Sequence, residues 1–393
     1  RRNGIALAVL PADGRADERL DAISTLPVST LRRLQHLCDQ GGAVAAQAAL
    51  QQMALAAGLY AAPVRGVKAL PEVGGWTPQG VTCPAALALG TRPRIVLTFY
   101  RAYLTAADTG PLDSIAQAFD AAGYDVIGLF APSLKAPQAR GWLARWVRAL
   151  APVAVINATA FSAQADGPGT PLEAAGAPVF QVALATNDRT SWAGAERGLS
   201  PADLAMHVVL PEVDGRIFSG AVSFKEAGAR NPDLQFTRLE HRADPARIAA
   251  LVRQVQGWVR LAQKPAAQRR PALVLSTYPG KAWQMAHAVG LDALESARVL
   301  LGDLHAQGYS VDAVAPRDLE TARLRLPLTD YLGRLATLPE SLQQALLQAW
   351  GAPEDDADFH DDGFDIAALR AGNALIALQP ERGTPRRCDD DYH

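Results

Sequence analysis

Arg94-Ile95-Val96-Leu97-Thr98-Phe99-Tyr100-Arg101 is a short apolar run, rich in β-branched and aromatic residues, that ends on an arginine. Its length and composition predict a strand buried on both faces, Ile95–Tyr100. Downstream, Pro111 stands at a helix start, and Leu112, Ile115, Ala116 and Phe119 make one apolar stripe at helical spacing. Gly123 ends that helix and Val126–Phe130 forms the next strand. The pattern then repeats. Trp142, Leu143, Trp146, Val147 and Leu150 stripe a second helix, and Val153–Ile156 and Val179–Ala183 are further strands. Asp244-Pro245 caps a helix carrying Ile248, Leu251, Val252, Val255 and Val259. Strands alternating with helices of this length predict an α/β fold, its largely parallel sheet covered on both faces.

Beyond this block, the basic stretch Lys264–Arg270 marks a junction, and a second α/β unit follows. Leu273–Ser276 reads as its strand, Asp292–Gln307 as its helix, and Gly308-Tyr309-Ser310-Val311 as the lead into another strand. The echo of Gly123-Tyr124-Asp125-Val126 is read as the ordinary way such helices end, not as internal duplication. Leu342–Trp350 is a further helix and Ala374–Leu378 a strand. Upstream, Ile5–Leu10 reads as a strand, Leu31, Leu34 and Leu37 keep helical spacing, and Val44–Ala57 is an Ala-rich helix. Residues 61–93 are rich in Pro and Gly and read as a linker. The expectation is two or more Rossmann-like lobes with largely parallel sheets: a partial N-terminal α/β segment and linker over 1–93, a first lobe over 94–265 and a second over 266–393. The chain opens on Arg1-Arg2-Asn3 and stops at Tyr392-His393. It is expected to be an internal piece of a longer protein, continuing past His393.

The composition is that of a globular protein, 49% apolar and 20% charged over 393 residues. A formal net charge of −2 provides no electrostatic footprint for nucleic acid or an anionic membrane. No run reaches the ~18 apolar residues of a membrane span. Cys38, Cys83 and Cys388 are far apart, which fits a reducing cytosol and makes neither a disulfide framework nor a zinc site. A cytoplasmic protein is expected. Pro279-Gly280-Lys281 lacks the leading glycine and the following Ser or Thr of a phosphate loop, so this chain should not hydrolyse ATP. No Gly-x-Gly-x-x-Gly opens a helix, no Gly-x-Ser-x-Gly elbow occurs, and no two histidines stand four apart.

Candidate functional residues gather at strand ends, where open α/β sheets bind ligands. Arg101 follows the first strand; Asn157, in Asn157-Ala158-Thr159-Ala160-Phe161, follows another. Pro211-Glu212-Val213-Asp214-Gly215-Arg216 is a turn at one end of an apolar strand that finishes in Phe224-Lys225-Glu226. Gly215 suits the left-handed position of that turn. Glu212, Asp214, Arg216 and Lys225 have two readings: an internal ion-pair network, or the lining of a cleft for a polar macrocycle. His207, within Leu204–Leu210, reads as a hydrogen-bonded core residue. The acidic stretch Glu354–Asp365 reads as a solvated loop. Tyr278, Gln379 and Arg382 follow the two strands of the second unit, and His393 closes the chain.

These segments, taken in order and spacing, resemble the large subunit of aerobic cobaltochelatase, kin to the porphyrin-binding subunit of magnesium chelatase. The likeness starts at Leu7-Ala8-Val9-Leu10-Pro11 and runs through Phe99-Tyr100-Arg101, Asn157–Ser162 and Arg197-Gly198-Leu199-Ser200-Pro201. It continues in Pro211–Lys225, Tyr278-Pro279-Gly280, Val289-Gly290-Leu291-Asp292 and Gly372–Gly383. His287 and the stretch Thr384–Asp391 depart from the pattern. The resemblance implies an enzyme complex, a ligase forming nitrogen–metal bonds, that inserts Co2+ as substrate metal into hydrogenobyrinic acid a,c-diamide in cobalamin biosynthesis. It implies AAA+ partner subunits that hydrolyse the ATP, while this chain holds the corrin or tetrapyrrole. Arg101, Asn157, Glu212, Arg216, Lys225, Tyr278, Gln379 and Arg382 are then expected as macrocycle-binding residues and His393 as a metal ligand, with little activity in this stretch alone. The alternatives are a magnesium chelatase large subunit acting on protoporphyrin IX, and a non-enzymatic two-lobe module for a small ligand.

Overall fold

A computed structural model describes residues 4–12, 15–66, 69–87, 90–165, 169–276, 287–288, 291–315 and 318–379. The chain divides into two compact units, Arg1–Val259 and Arg260–His393. Tyr278, Arg382 and His393 lie outside the described residues, as does Pro279-Gly280-Lys281.

The first unit is built on one sheet of eight strands: β1 (Gly74–Thr77), β2 (Gly80–Thr82), β3 (Arg94–Tyr100), β4 (Asp125–Ala131), β5 (Ala154–Asn157), β6 (Val179–Leu184), β7 (Ile217–Asn231) and β8 (Phe236–Ala243). Their order is β2-β1-β4-β3-β5-β6-β7-β8. The inner strands from β4 to β7 run parallel, while β1, β2 and β8 close the edges antiparallel. The alternation of β3 feeds both faces. Ile95, Leu97 and Phe99 meet Leu112, Ile115 and Phe119 of helix Gly110–Ala121 and Leu251 and Val255 of helix Pro245–Gln263. Val96 points the other way, into a core with Leu143, Val147 and Leu150 of helix Pro137–Leu150. Each such fully buried side chain is worth ~1.5–3 kcal/mol. Thr98 continues the Val96 series, fully buried and polar.

Two local expectations are corrected. Ile5–Leu10 forms no strand: Leu7 and Val9 give their N–H groups to the side chains of Thr25 and Ser24, and Ile5 and Leu7 stay exposed. Side-chain acceptors of the neighbouring turn thus satisfy N–H groups that a strand ladder would otherwise take. Residues 61–93 are also more than a linker, since β1 and β2 lie within them. The pairing of β1 with β4 rests on missing side chains. A Cβ on Gly128 would lie 2.6 Å from the Trp76 ring, and one on Gly74 2.5 Å from Phe130.

In the second unit β9 (Ala272–Leu275) pairs parallel with Ala374–Leu378, which also pairs antiparallel with Ala368–Ala371. Leu324–Pro327, Phe359–His360 and Gly363–Ile366 make an antiparallel sheet, and His287–Ala288 pairs with Leu291–Asp292. Helix Ala293–Ala306 brings Leu301 against Val311, Leu319 and Ile376. Val311 is buried but irregular, not the strand expected there. The acidic loop is organised by Arg325, which pairs with Asp362 at 2.8 Å and Asp365 at 3.1 Å and whose charge those carboxylates reinforce. No described helix is long and apolar enough to cross a membrane.

Candidate functional site

Thr98, Asn157 and Gln181 stand at neighbouring positions of β3, β5 and β6, and all three are buried. Buried polar groups need partners, and here they satisfy one another. Asn157 Oδ1 accepts from Thr98 Oγ1 at 2.6 Å and from Thr159 Oγ1 at 3.0 Å. Its Nδ2 donates to Gln181 Oε1 at 2.7 Å, and Gln181 Nε2 donates to the Thr159 carbonyl at 2.7 Å. This locks the loop that leaves β5 onto the sheet.

The turn before β7 plugs into the same network. Gly215 has φ 69°, as a left-handed turn requires, and delivers Arg216 inward. Arg216 Nη1 donates to Gln181 Oε1 at 2.9 Å and Nη2 to Asp214 Oδ2 at 2.5 Å. Asp214 also accepts from Ser162 Oγ at 2.5 Å and from the Ala163 N–H at 2.7 Å. Burial disfavours the Arg216 charge, and Asp214 works to restore it. Tyr100, last residue of β3, donates its hydroxyl to the Ala160 carbonyl at 2.7 Å, and burial pushes its phenol upward.

The loops that close this buried layer also carry exposed apolar side chains and a carboxylate. The helical segment 201–212 contains a π-helical turn at Ala205–Val209, a form often found at functional sites. Phe161, held at φ 65°, hydrogen-bonds through its N–H to the Met206 carbonyl at 2.8 Å. Phe161, Val209 and Val213 are exposed, and so is Glu212, next to Val213 in the chain.

The structure therefore brings Asn157 and Arg216 together and leaves Glu212 exposed. Arg101 is engaged elsewhere: it donates to the carbonyls of Leu70 and Pro71, each at 3.0 Å, and to Gln40 at 3.5 Å, anchoring the segment before β1. Lys225 lies outside the Arg216 network, opposite His241 in the β7–β8 ladder. Gln379, in the second unit, donates its N–H to the Leu275 carbonyl at 2.8 Å. Asp108, Tyr103, Asp203 and His241 were not singled out from sequence. His241 Nδ1 meets Asp108 Oδ2 at 2.8 Å across 133 residues, a pairing with no local signal. Among the described residues no three His, Cys, Asp or Glu side chains converge as a metal-holding group.

Residues 34–393 match the family described as CobN/Magnesium Chelatase. The chain is 31% identical to the aerobic cobaltochelatase subunit CobN of Sinorhizobium sp, covering 98% of this chain and 33% of the relative. It is 26% identical to a magnesium-chelatase subunit of Rhodobacter capsulatus, covering 81% of this chain and 30% of that one. Among solved structures it resembles the catalytic subunit of cobaltochelatase from Mycobacterium tuberculosis, with a TM-score of 0.70 and 28% identity over 97% of this chain and 33% of that one. The chain spans about a third of the length of the relatives it matches.

Proposed function

This chain belongs to the CobN/magnesium chelatase family, and we propose that it is part of the macrocycle-holding large subunit of an ATP-dependent cobaltochelatase. The observation carrying this reading is the extent of the likeness to the cobaltochelatase subunit, 31% identity over 98% of the chain. The likeness to a magnesium chelatase subunit is lower and shorter, 26% over 81%, which favours cobalt as the substrate metal. The substrate is then a corrin precursor, hydrogenobyrinic acid a,c-diamide, and AAA+ partner subunits supply the ATP hydrolysis.

Metal insertion replaces the inner N–H proton of the corrin by a dication held by all four ring nitrogens. The step asks for a surface that holds a large ring, a carboxylate near the entering cation, and a group that takes the departing proton. Phe161, Val209 and Val213 would pack against the ring. Glu212, exposed next to Val213, would face its inner N–H group or the arriving Co2+. Asn157, Gln181, Asp214 and Arg216 would act from beneath, fixing the two loops that present these side chains. Tyr278, Gln379 and Arg382 would contribute macrocycle contacts and His393 a ligand to the metal.

Titrating the full-length subunit with hydrogenobyrinic acid a,c-diamide and with protoporphyrin IX, followed by intrinsic fluorescence, tests the proposal. Tighter binding of the corrin, by tenfold or more, is expected. Preference for the porphyrin would overturn the cobalt reading, and binding of neither would overturn the chelatase reading.

A further inference from the structure

A second group of ionisable side chains lies buried in the first unit, distinct from the Arg216 network. His241 on β8 is 8% exposed. Asp108 holds it twice, with Oδ1 accepting the His241 N–H at 3.0 Å and Oδ2 contacting the ring Nδ1 at 2.8 Å. A carboxylate at Nδ1 selects the tautomer with its proton there, leaving Nε2 with an open lone pair. That Nε2 is buried and has no hydrogen-bond partner among the described residues. Tyr103 packs edge-on against the ring, with centroids 5.7 Å apart.

His207, in the π-helical turn, is the second imidazole, 5% exposed. Its Nδ1 also lacks a partner, and its Nε2 lies 3.9 Å from Asp203 Oδ1, which is likewise unpaired by any hydrogen bond. Asp203 is fixed through its other oxygen, by the Thr186 N–H at 3.0 Å and hydroxyl at 2.9 Å. Orphaned buried polar atoms are costly, and several gathered in one place point to a working site rather than a packing solution.

We propose that His241, backed by Asp108 and neighboured by His207, is a buried base that takes up the proton displaced from the corrin when the dication enters. This rests on the chelatase reading above. The balance is simple: the one inner N–H bond of the corrin breaks, four metal–nitrogen bonds form, and the proton goes to the open Nε2 of His241. Tyr100 holds the Ala160 carbonyl through its hydroxyl, and Tyr103 packs its ring against His241. The base must be neutral when the proton arrives. Burial lowers His207, and the neighbouring His241 acts in the same sense, against Asp203. Asp113, in the first turn of the adjoining helix, is occupied by Thr109. Asp108 itself is a positioning residue, acting only through His241.

The test has two arms. Nitrogen-15 spectra of the chain with labelled histidine should show His241 as the Nδ1–H tautomer with an unbonded Nε2, lost in D108N. An Nε2–H tautomer, or a ring protonated throughout pH 5–9, overturns the proposal without reference to any substrate. In the reconstituted complex, H241Q should lower kcat for cobalt insertion by about 100-fold, the scale of a lost base. The macrocycle KM should stay within about twofold, and the acidic limb of the pH–rate profile should flatten. A working wild type with an unimpaired H241Q variant overturns this role alone. A wild-type complex that inserts no cobalt overturns the chelatase reading first, and this role with it.

Discussion

Arg216 and Asp214 form an ion pair sealed from solvent, Nη2 to Oδ2 at 2.5 Å, with side chains 1% and 0% exposed. An exposed pair would contribute little, but a buried one cannot lose a single partner cheaply. Asp214 also fastens the loop after β5, through Ser162 and Ala163, so the pair joins two loops that are distant in sequence.

Arg216→Ala should therefore cost about 3–5 kcal/mol of stability, since it strands the Asp214 carboxylate. Urea denaturation of the mutant and parent chains measures this. A loss under about 1 kcal/mol, with macrocycle affinity reduced instead, would return Arg216 to the role of a substrate grip.

Glu212→Gln should behave in the opposite way. The side chain is exposed and makes no hydrogen bond or ion pair among the described residues, so stability should change by no more than ~0.5 kcal/mol. Cobalt insertion by the assembled enzyme should fall by about 100-fold or more. Retention of full activity would remove Glu212 from the reaction.

Gly128→Ala tests the sheet edge. The added methyl would meet the Trp76 ring at 2.6 Å and Phe99 at 3.0 Å, so β1 must move away from β4. Overpacking of this kind costs ~1–3 kcal/mol. A melting temperature equal to the parent's would show that the β1–β4 contact yields without strain.

The pH dependence of stability should carry the signature of His207. Its pKa is lowered in the fold, chiefly by burial, so the unfolded chain binds its proton more readily. The stabilising contribution is complete above the unfolded value of about 6.5 and is lost as pH falls from there through the folded pKa. His207→Gln should flatten the fall in melting temperature below about pH 6.5. An unchanged slope would mean that another group sets it.

Much of the fold was legible because its signals are local. The run Ile95–Tyr100, the stripe from Leu112 to Phe119 and the stripe from Leu143 to Leu150 each declare a period, and each formed the element read from it. Ile5–Leu10 carries an equally good strand pattern and forms none, because a strand exists only where an edge is free to pair. β1 was missed for the converse reason: Gly74-Gly75 reads as a breaker, yet the missing side chain of Gly74 is what admits Phe130, as that of Gly128 admits Trp76.

For the site, sequence alone selected Asn157, Glu212 and Arg216, because charged and amide residues at strand ends stand out against apolar neighbours. It left open whether Arg216 faced ligand or scaffold. What the tertiary structure decided, through strand order, is which buried groups the guanidinium meets. Placing β5 and β6 between β3 and β7 brings Gln181 and Asp214 to the same guanidinium. The same order, with β8 folded back along β7, sets His241 against Asp108 from 133 residues away. The period of a strand is written in consecutive residues, whereas the partner of a buried polar atom depends on which strand ends become neighbours, and only the assembled sheet settles that.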